Sequence, residues 1–480
     1  MLNALVNWLE DRTGVVSALK QSLDEDIPGG ASYWYVFGSA TLIVLIIQIV
    51  TGILLTFYYA PSAATAWEST KFIYDKVILG KFIIGVHYWG ASVMIALVAI
   101  HLLQVLVWGA YKKPREVMWV VGVIMFVCTL VLGLTGYLLP WDLNAYFASQ
   151  VSINITGSAP IAGPFLAQFL QDGPTMGTLT INRFFGLHVW LTPALLLLLV
   201  GLHLWIFRHN HPAGPTEEAA AKRKVGRFFP EQLFMDTVVS VLAFVLIVVL
   251  AILAPPDLLP KADPSLSQFQ PYPAWYFLPL FGVLRMAPPA LDVFATIVIP
   301  TVFLLVLILL PWIDRNPSRS WRRRPWLLGI SGIIVIGIVL TGVYGQNAIA
   351  AGQAANAQLV KQIESGQLGP AGMAPPTPAQ VATGGAANGA TIFSQKCASC
   401  HGAQGQGTPG VFPPLAGNPV VTGNPAKVIA IVSDGLSGKI VVNGRLYSAQ
   451  MPAWKSSLSS AQIRAVVTYI RSSWGNHAKK

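Results

Sequence analysis

The chain has 480 residues, of which 54% are hydrophobic and only 11% charged, and its mean hydropathy is +0.58. This composition excludes an ordinary soluble globular protein. The formal charge of +11 does not indicate nucleic-acid binding, because the basic residues cluster at the ends of apolar runs. The three cysteines, Cys128, Cys397 and Cys400, are too few and too far apart for a disulfide scaffold.

Seven apolar runs are long enough to cross a hydrocarbon layer of about 30 Å. Residues 1–30 precede them and are expected to form at most an interfacial helix. The acidic stretch DEDIPGG lies where a cleavable signal peptide would have its apolar core, so none is expected. The predicted spans are 33–58, 83–108, 117–139, 184–207, 235–254, 292–312 and 326–345.

The connections between spans differ in charge and length. The loops after the second, fourth and sixth spans are rich in Lys and Arg, which predicts that they and the N-terminus are cytoplasmic. The opposite connections include 140–183 and 255–291, which are long and rich in Pro, Gly and aromatic residues. Such loops indicate the wall of a lipophilic pocket, with ordinary interfacial packing as the alternative.

The composition changes abruptly at about residue 346. An Ala- and Gln-rich stretch is compatible with a helical stalk, an Ala/Pro/Gly-rich linker follows, and a compact domain ends the chain. We therefore predict an all-α protein: a seven-helix membrane bundle with a four-helix core and a small helical domain. The expected divisions are 1–30, 31–211, 212–345, 346–388 and 389–480.

Four histidines lie on two of the predicted spans, His87 and His101 on the second and His188 and His203 on the fourth. Fourteen helical residues separate two side chains by roughly 20 Å and about 40° of rotation, and fifteen residues by about 60°. An imidazole in lipid is costly without a partner, and two facing imidazoles suit the axial positions of a haem iron. Two stacked haem sites are therefore predicted, against four unrelated interior histidines.

Glycines repeat at the same interval on two other spans. Gly38 and Gly52 lie fourteen residues apart on the first, and Gly122 and Gly136 on the third. Because glycine lacks a side chain where a haem must approach backbone, two levels of haem require two levels of glycine.

The C-terminal domain contains Cys397-Ala-Ser-Cys400-His401. A C-x-x-C-H run supplies two thiols for covalent haem attachment and a proximal histidine, His401. A thioredoxin-like motif or a zinc site is less consistent with the surrounding sequence, since only His477 follows as a further ligand. Met451, the only later methionine, is the expected sixth ligand, with a core-filling role as the alternative.

The C-terminal domain resembles a class I cytochrome c, and residues 30–345 resemble cytochrome b of the cytochrome bc complexes. The second resemblance is carried by the histidine and glycine intervals and by the segment Gly-Tyr-Leu-Leu-Pro-Trp-Asp at 136–142. The fifteen-residue interval and the three spans after the fourth are similar to the plastid-type cytochrome b with its subunit IV. That type anchors an extra haem on a first-span cysteine, but Val36 stands there and no such haem is expected.

The resemblance implies two haem b, one covalent haem c and a quinol substrate. His87 and His188 would ligate an outer haem, with Arg183 near it, and His101 and His203 an inner one. It further implies a homodimeric complex in a bacterial-type cytoplasmic membrane with the cytochrome c domain outside. A Rieske iron–sulfur protein must come from a partner chain, because the three cysteines leave no ligand set for one.

This sequence departs from the family at the outer quinol site. The family motif Pro-Glu-Trp-Tyr is here Pro273-Ala274-Trp275-Tyr276, so the proton-accepting glutamate is missing, and Asp142 is one candidate replacement. Ile84 and Tyr88 stand where relatives commonly have arginines. Arg208 and Asp236 match residues near the family's inner quinone site, although charges at membrane boundaries are also ordinary anchors.

Three functional hypotheses follow. The first is a cytochrome b/c fusion subunit that oxidises quinol with a Rieske partner and passes electrons to a soluble cytochrome or another acceptor. The second is a membrane electron conduit that does not split the two electrons of quinol. The third, a structural or sensory haem anchor, fits three linked redox groups poorly.

Overall fold

The computed structural model describes residues 2–476 except 172–175, 215, 217–224, 265, 267, 366–385, 403, 408–411, 437, 439, 448–450, 452, 456 and 457. The chain divides into two compact units. The first is built on the residues up to Ala262 and on Gln270–Ala355, and the second on Asp263–Phe269 and the chain from Asn356 onward. Most of the predicted linker lies outside the described residues.

Within the described part of the chain, seven helices are long and apolar enough to cross a membrane, which confirms the predicted number and the all-α class. A helix satisfies its own backbone hydrogen bonds, as a segment in hydrocarbon must. In chain order, these first to seventh spans are Phe37–Thr56, Gly80–Val107, Glu116–Tyr137, Thr178–Asn210, Phe228–Leu253, Phe294–Ile313 and Pro325–Glu364.

The seventh span continues well past the apolar run at 326–345, through the predicted stalk, to Glu364. Hydropathy detects only the apolar half of this helix. The second half is rich in Ala and Gln, which have high helix propensity, so the helix continues although its surface becomes polar.

The fourth span contains one wide turn at Leu187–Leu191, where the Thr192 N–H donates to the Leu187 carbonyl five residues back. A π-type turn of this kind accommodates one extra residue. His188 stands at the start of this wide turn, so the extra residue is accommodated within the interval from His188 to His203. The fifteen-residue interval therefore spans the rotation of about fourteen α-helical residues. The angle about the helix axis between the His188 and His203 side chains is accordingly smaller than the predicted value of about 60°.

Shorter elements flank the spans in the first unit. Asp26–Pro28 and Val225–Arg227 pair as a two-stranded antiparallel sheet, and short 3₁₀ turns lie at Tyr33–Tyr35, Trp275–Phe277, Pro289–Leu291 and Trp321–Arg323. The additional helices are Leu2–Thr13, Val15–Leu23, Ala66–Lys76, Leu143–Gly157, Gly163–Gln171 and Leu278–Met286.

Aliphatic side chains from several spans form the centre of the first unit. Val44, Val86, Leu196 and Ile247 are buried there, from the first, second, fourth and fifth spans. Cys128 of the third span belongs to the same cluster and is buried. Its surroundings are those of a small hydrophobic residue.

A buried ionic cluster, Tyr111, Lys112, Asp314 and Arg324, joins the loop after the second span to the end of the sixth and the start of the seventh. Asp314 accepts a hydrogen bond from the Tyr111 hydroxyl and pairs with the Lys112 ammonium at 2.7 Å. Burial alone would raise the pKa of Asp314, but the hydrogen bonds from Lys112 and Tyr111 outweigh it and the pKa is lowered. Arg324, 3% exposed, donates to the Leu106 carbonyl and to the Tyr111 hydroxyl. The cluster thus connects the four-helix and three-helix parts of the bundle.

The second unit is mainly helical. Its core is built where the first and last helices cross, because a Cβ at Gly389 would lie 2.1 Å from the Ala465 carbonyl oxygen. Phe393 packs there against Tyr469 and Trp474, with ring centroids 5.6 and 4.7 Å away. Its helices are Ala386–Lys396, Ala398–His401, Pro419–Thr422, Pro425–Asp434 and Ser460–Ser472, and its strands Ile440–Val442 and Arg445–Tyr447.

Candidate functional site

The first histidine pair joins the second and fourth spans. The ring centroids of His87 and His188 are 6.1 Å apart and the rings are inclined at 78°. An iron with an imidazole nitrogen about 2 Å away on each side requires centroids roughly 6 Å apart. The spacing of this pair therefore fits two axial ligands of one iron.

The second pair, His101 and His203, lies further along the same two spans. The two rings are close enough to interact electrostatically. Fourteen residues separate His101 from His87 on a continuous helix, which corresponds to about 21 Å along its axis. The histidines therefore form two levels, each contributed by the same two helices.

Each histidine ring faces one of the four glycines predicted from their spacing. A Cβ built on any of these glycines would meet the Cε1 atom of an imidazole from the neighbouring span. These Cβ-to-Cε1 distances are 3.3 Å for Gly38 and His101, 3.3 Å for Gly52 and His87, 3.6 Å for Gly122 and His203, and 2.6 Å for Gly136 and His188. The missing side chains leave the cradle that a planar macrocycle and its axial ligands require.

Threonines next to two of these glycines orient the first pair, His87 and His188. The Thr51 hydroxyl donates to the Ile47 carbonyl and lies 3.0 Å from His87 Nδ1, whose N–H it can accept. Thr135 lies 3.3 Å from His188 Nδ1, and the Leu132 carbonyl is 3.1 Å from the same atom. A protonated Nδ1 leaves Nε2 free to bind a metal. The sequence signal for these threonines is the repeated dipeptide Thr-Gly at 51–52 and 135–136.

The Pro273–Tyr276 segment lies against the third span close to the first histidine pair. Trp275 and Tyr276 begin a short 3₁₀ turn capped by Ala274, and the Tyr276 hydroxyl donates to the Gly133 carbonyl at 3.3 Å. Gly133 precedes Gly136, the glycine that faces His188, by one helical turn. The structure thus brings the predicted outer quinol residues beside the predicted outer haem level.

Asn144 and Tyr272 fix that segment, and sequence reasoning missed both. The Asn144 side chain accepts a hydrogen bond from the Tyr272 N–H at 3.1 Å and donates to the Tyr272 carbonyl at 3.2 Å. The Tyr137 hydroxyl donates to the same carbonyl at 3.0 Å. These bonds join the long loops 140–183 and 255–291.

Asp142, near the same two loops, has a structural role as a helix cap. It is 8% exposed, and its carboxylate accepts the Ala145 N–H at 2.8 Å, capping helix Leu143–Gly157, and the Leu259 N–H at 3.3 Å. Burial raises the pKa of Asp142 to about 6, although these backbone hydrogen bonds act in the opposite direction. A carboxyl group with this pKa can exchange a proton near neutral pH.

The two residues predicted for an inner quinone site have different surroundings. Asp236 is buried, accepts a hydrogen bond from Gln232 at 2.8 Å and interacts with Ser39, the neighbour of the His101-facing Gly38. Arg208 instead forms an ion pair with Glu25 from the N-terminal segment. Asp236 therefore lies beside the second histidine pair, whereas the guanidinium of Arg208 is paired with a carboxylate. Gln232 and Glu25 were not predicted, and the partner of Glu25 is distant in sequence.

Arg183, the remaining predicted residue near the outer level, lies one turn before the wide turn that carries His188. Its guanidinium stands over the Phe169 ring at 5.2 Å and donates to the Phe169 carbonyl. This contact links helix Gly163–Gln171 to the start of the fourth span. Tyr88, which follows His87, is 46% exposed and packs edge-on against Trp89 at 5.2 Å.

In the second unit, His401 ends the short helix Ala398–His401 that follows the buried Cys397. His401 Nδ1 lies 2.9 Å from the Pro413 carbonyl oxygen, which fixes the tautomer that leaves Nε2 free. Burial lowers the pKa of His401, which favours the neutral ring that a metal ligand requires. The side chain of Cys400 is not described. Met451 is paired through its backbone with Leu436 and packs against the domain core.

The fold and the site define a class: a membrane-spanning helical protein with two levels of facing histidines, joined to a small helical domain with a C-x-x-C-H motif. Three family models match the chain. The model described as Cytochrome b/b6/petB matches residues 22–211, Cytochrome b(C-terminal)/b6/petD matches 261–363, and Cytochrome c matches 386–474.

Individual proteins show the same similarity. The cytochrome bc complex cytochrome b subunit of Chlorobaculum thiosulfatiphilum is 34% identical over 347 residues, 71% of this chain and 80% of that protein. The menaquinol:cytochrome c reductase cytochrome b subunit of Geobacillus thermodenitrificans is 39% identical over 223 residues, 45% of this chain and 100% of that protein. A solved structure, "Hyperthermophilic respiratory Complex III", matches with a TM-score of 0.65 and 28% identity over 71% of this chain and 91% of that one.

The chain belongs to the cytochrome b family of cytochrome bc complexes and carries a C-terminal cytochrome c domain. The predicted resemblance is thereby confirmed. Membership implies haem b and haem c as cofactors and electron transport in a membrane as the setting.

Proposed function

We propose that this chain is the cytochrome b/c fusion subunit of a quinol:electron-acceptor oxidoreductase. The observation that carries the proposal is the two-level arrangement, in which each of the four histidines predicted to ligate haem b faces a glycine of the neighbouring span. The name of the Geobacillus relative, menaquinol:cytochrome c reductase, supports a quinol as the substrate. The cytochrome c domain is evidence that an electron exit is built into the same chain.

Three haems would be held by this chain. His87 and His188 would hold the outer haem b, His101 and His203 the inner haem b, and Cys397, Cys400, His401 and Met451 the covalent haem c. When bound, these groups supply one-electron transfer across and out of the membrane. The chain supplies ligation, spacing and a low-polarity surrounding: the glycines Gly38, Gly52, Gly122 and Gly136 admit the macrocycles, and Thr51 and Thr135 hold the outer imidazoles in one tautomer.

The outer quinol site would lie at the Pro273–Tyr276 segment. The rings of Trp275 and Tyr276 would form its wall, and the hydrogen bonds of Asn144 to Tyr272 keep that wall against the third span. Ala274 cannot take a proton from quinol. Asp142, with its pKa of about 6, is the carboxyl group that would do so on the far side of the Tyr137–Tyr272 contact.

On the inner side, Asp236 would donate protons to a quinone near His101. Its position beside Ser39 and Gln232 keeps the carboxyl group at the membrane boundary. The ion pair between Arg208 and Glu25 would hold the N-terminal segment over this site rather than bind the quinone directly.

The proposed setting is a homodimeric complex in a bacterial cytoplasmic membrane, with the cytochrome c domain on the outer side. The basic loops after the second, fourth and sixth spans support this orientation. A Rieske iron–sulfur protein would accept the first electron of quinol, and a soluble cytochrome or another acceptor would receive electrons from haem c.

The alternative is a conduit that moves electrons between quinone and haem c without splitting them between two routes. The observation that favours it is alanine at position 274, which removes the proton acceptor of the family motif. Both functions share the cofactors but differ in their need for the iron–sulfur partner.

A rapid-mixing experiment on the purified complex separates the two functions. A quinol analogue is added, and reduction of the b-type and c-type absorption bands is followed with and without the Rieske protein. We expect both bands to be reduced together, with an outer-site inhibitor suppressing both and removal of the Rieske protein abolishing both. Full b-haem reduction through the outer site without the Rieske protein would overturn the proposal and favour the conduit.

A further inference from the structure

The helix that carries the C-terminal domain keeps one buried face after its apolar run ends. This seventh helix continues past residue 345 to Glu364. Its buried residues there are spaced alternately four and three apart: Gly345, Ile349, Gly352, Asn356 and Leu359. A mean interval of about 3.5 residues is typical of one helix face held against a partner. This half of the helix is therefore packed and is not a free tether.

The same helix contacts the chain on both sides of the aromatic wall proposed for the outer quinol site. On the N-terminal side, a Cβ built on Gly352 would lie 2.6 Å from the Oε1 atom and 3.2 Å from the Cβ atom of Gln270. On the C-terminal side, a Cβ on Gly345 would lie 2.6 Å from the Leu278 carbonyl oxygen. The two contacts thus fall five residues before Trp275 and three residues after it.

Two glycines allow the second of these contacts. A Cβ on Gly282, one turn after Leu278, would overlap the carbonyl oxygen of Thr341 on the seventh helix. A Cβ on Gly345 would in turn lie 3.3 Å from the Gly282 backbone nitrogen. Because both positions lack a side chain, the backbones of the two helices meet directly. No flexible side chain separates them, so a shift at this face of the seventh helix moves the backbone that follows the wall.

The spacing of the two contacts makes the segment between them arch away from the seventh helix. Gly345 and Gly352 are seven residues apart, which is about 10 Å along the helix axis. The eight residues from Gln270 to Leu278 would reach about 26 Å if extended, so they leave the helix surface between the contacts. They do so toward the third span, which accepts a hydrogen bond from the Tyr276 hydroxyl. The position of the wall therefore depends on the seventh helix as well as on the third span.

We infer that Gly345 and Gly352 are positioning residues for the outer quinol site, and that the helix carrying the C-terminal domain is its rear support. They act through Leu278 and Gln270 on the aromatic wall between these two, and not on quinol itself. The inference rests on the proposed function, since it assumes that the wall binds quinol. A misplacement of about 1 Å can slow a reaction on the order of 100-fold, so one added methyl group is a measurable perturbation.

The test measures inhibitor binding at both quinone sites of the whole purified complex. Two radiolabelled quinone analogues, one an outer-site and one an inner-site inhibitor, are titrated at equilibrium against the oxidised complex. Gly345→Ala should weaken binding of the outer-site inhibitor at least about tenfold, because its new Cβ meets backbone atoms. Gly352→Ala should weaken it at least about threefold, since the end of the Gln270 side chain can partly yield. Binding of the inner-site inhibitor should not change.

The matched control is Gly337→Ala on the same helix, because a Cβ there would have no neighbouring atom within 4 Å. This variant should bind both inhibitors as tightly as the parent chain does. Two removable protohaems per haem c in each variant show that the complex has assembled. If Gly345→Ala does not assemble, the Gly352 variant decides the question with its control.

A compensating substitution separates positioning from a general effect on stability. Gln270→Ala removes the Oε1 and Cδ atoms that lie 2.6 and 3.3 Å from the new Cβ of Gly352→Ala. The double variant should therefore bind the outer-site inhibitor about as tightly as Gln270→Ala alone. A methyl group that merely weakened the helix would leave the double variant as impaired as the two single losses combined.

The inference is overturned if Gly352→Ala binds the outer-site inhibitor as the Gly337→Ala control does, or if Gln270→Ala does not restore the loss. It is equally overturned if the glycine variants weaken both inhibitors alike, because the helix would then stabilise the bundle as a whole. Failure of the proposed function has a different signature. The parent complex itself would then fail to bind the outer-site inhibitor, and both proposals would be wrong.

Discussion

Replacement of Gly136 by alanine should remove the outer haem b and leave the inner one in place. The new Cβ would lie 2.6 Å from His188 Cε1 and 3.1 Å from both ring nitrogens. Ordinary carbon contacts are about 3.5–4.0 Å, so the imidazole must move by about 1 Å, half the length of an iron–nitrogen bond of about 2 Å.

The expected cost can be stated from the same geometry. Overpacking of this kind costs about 1–3 kcal/mol when the surroundings can adjust. If the whole cost reduces the free energy of haem binding, the affinity for the outer haem falls roughly 5- to 150-fold. Haem loss should be smaller where the glycine is farther from its histidine. A Cβ on Gly122 would lie 3.6 Å from His203 Cε1, so Gly122→Ala should weaken haem binding less than Gly136→Ala.

The assay is a pigment count on the purified complex, with the covalent haem c as an internal standard. We expect two removable protohaems per haem c in the parent chain and close to one in the Gly136→Ala variant. Gly201→Ala is the matched control on the fourth span, because a Cβ there would have no neighbouring atom within 4 Å. Retention of both protohaems at unchanged midpoint potentials in the Gly136 variant, or an equal loss in the control, would refute the assigned facing of glycine and histidine.

The other predictions concern the ionic cluster and the outer proton acceptor. Asp314→Asn leaves the buried Lys112 ammonium uncompensated and should destabilise the complex by roughly 3–5 kcal/mol in thermal denaturation, whereas Asp75→Asn in an exposed pair should cost less than about 1 kcal/mol. If Asp142 accepts a proton from quinol, it must be ionised, so the oxidation rate should rise with pH through about 6; an Asp142→Asn variant that keeps this rise argues for another acceptor. Ala274→Glu should raise quinol oxidation if proton exit limits the rate, measured against the parent at equal haem content, and an unchanged rate would mean that the existing acceptor is adequate.

The predictions made from spans, intervals and motifs were all local. The seven spans, the fourteen-residue glycine intervals and the C-x-x-C-H motif are each contained in one helix or one short segment. A hydropathy run or a residue interval on one helix depends only on helix geometry, which is fixed by 3.6 residues per turn. The sequence alone therefore predicted the helical bundle and the two levels of histidine.

Contacts between distant segments could not be predicted in the same way. Asn144 holds Tyr272, and Arg208 pairs with Glu25, across separations that no periodicity links. Asp142 looked like a free carboxylate in the sequence, but the fold places it at the start of a helix and buries it, which raises its pKa.

The fourth span shows where the boundary lies. The sequence determined that His188 and His203 share a helix, because both lie in one apolar run. Only the tertiary structure decided that a wide turn at Leu187–Leu191 absorbs one residue and aligns His188 with His87 on the second span. The physical reason is that the period of a helix is visible in the spacing of residues along its own sequence. The local distortion that brings ligands on two helices face to face depends on how those helices pack.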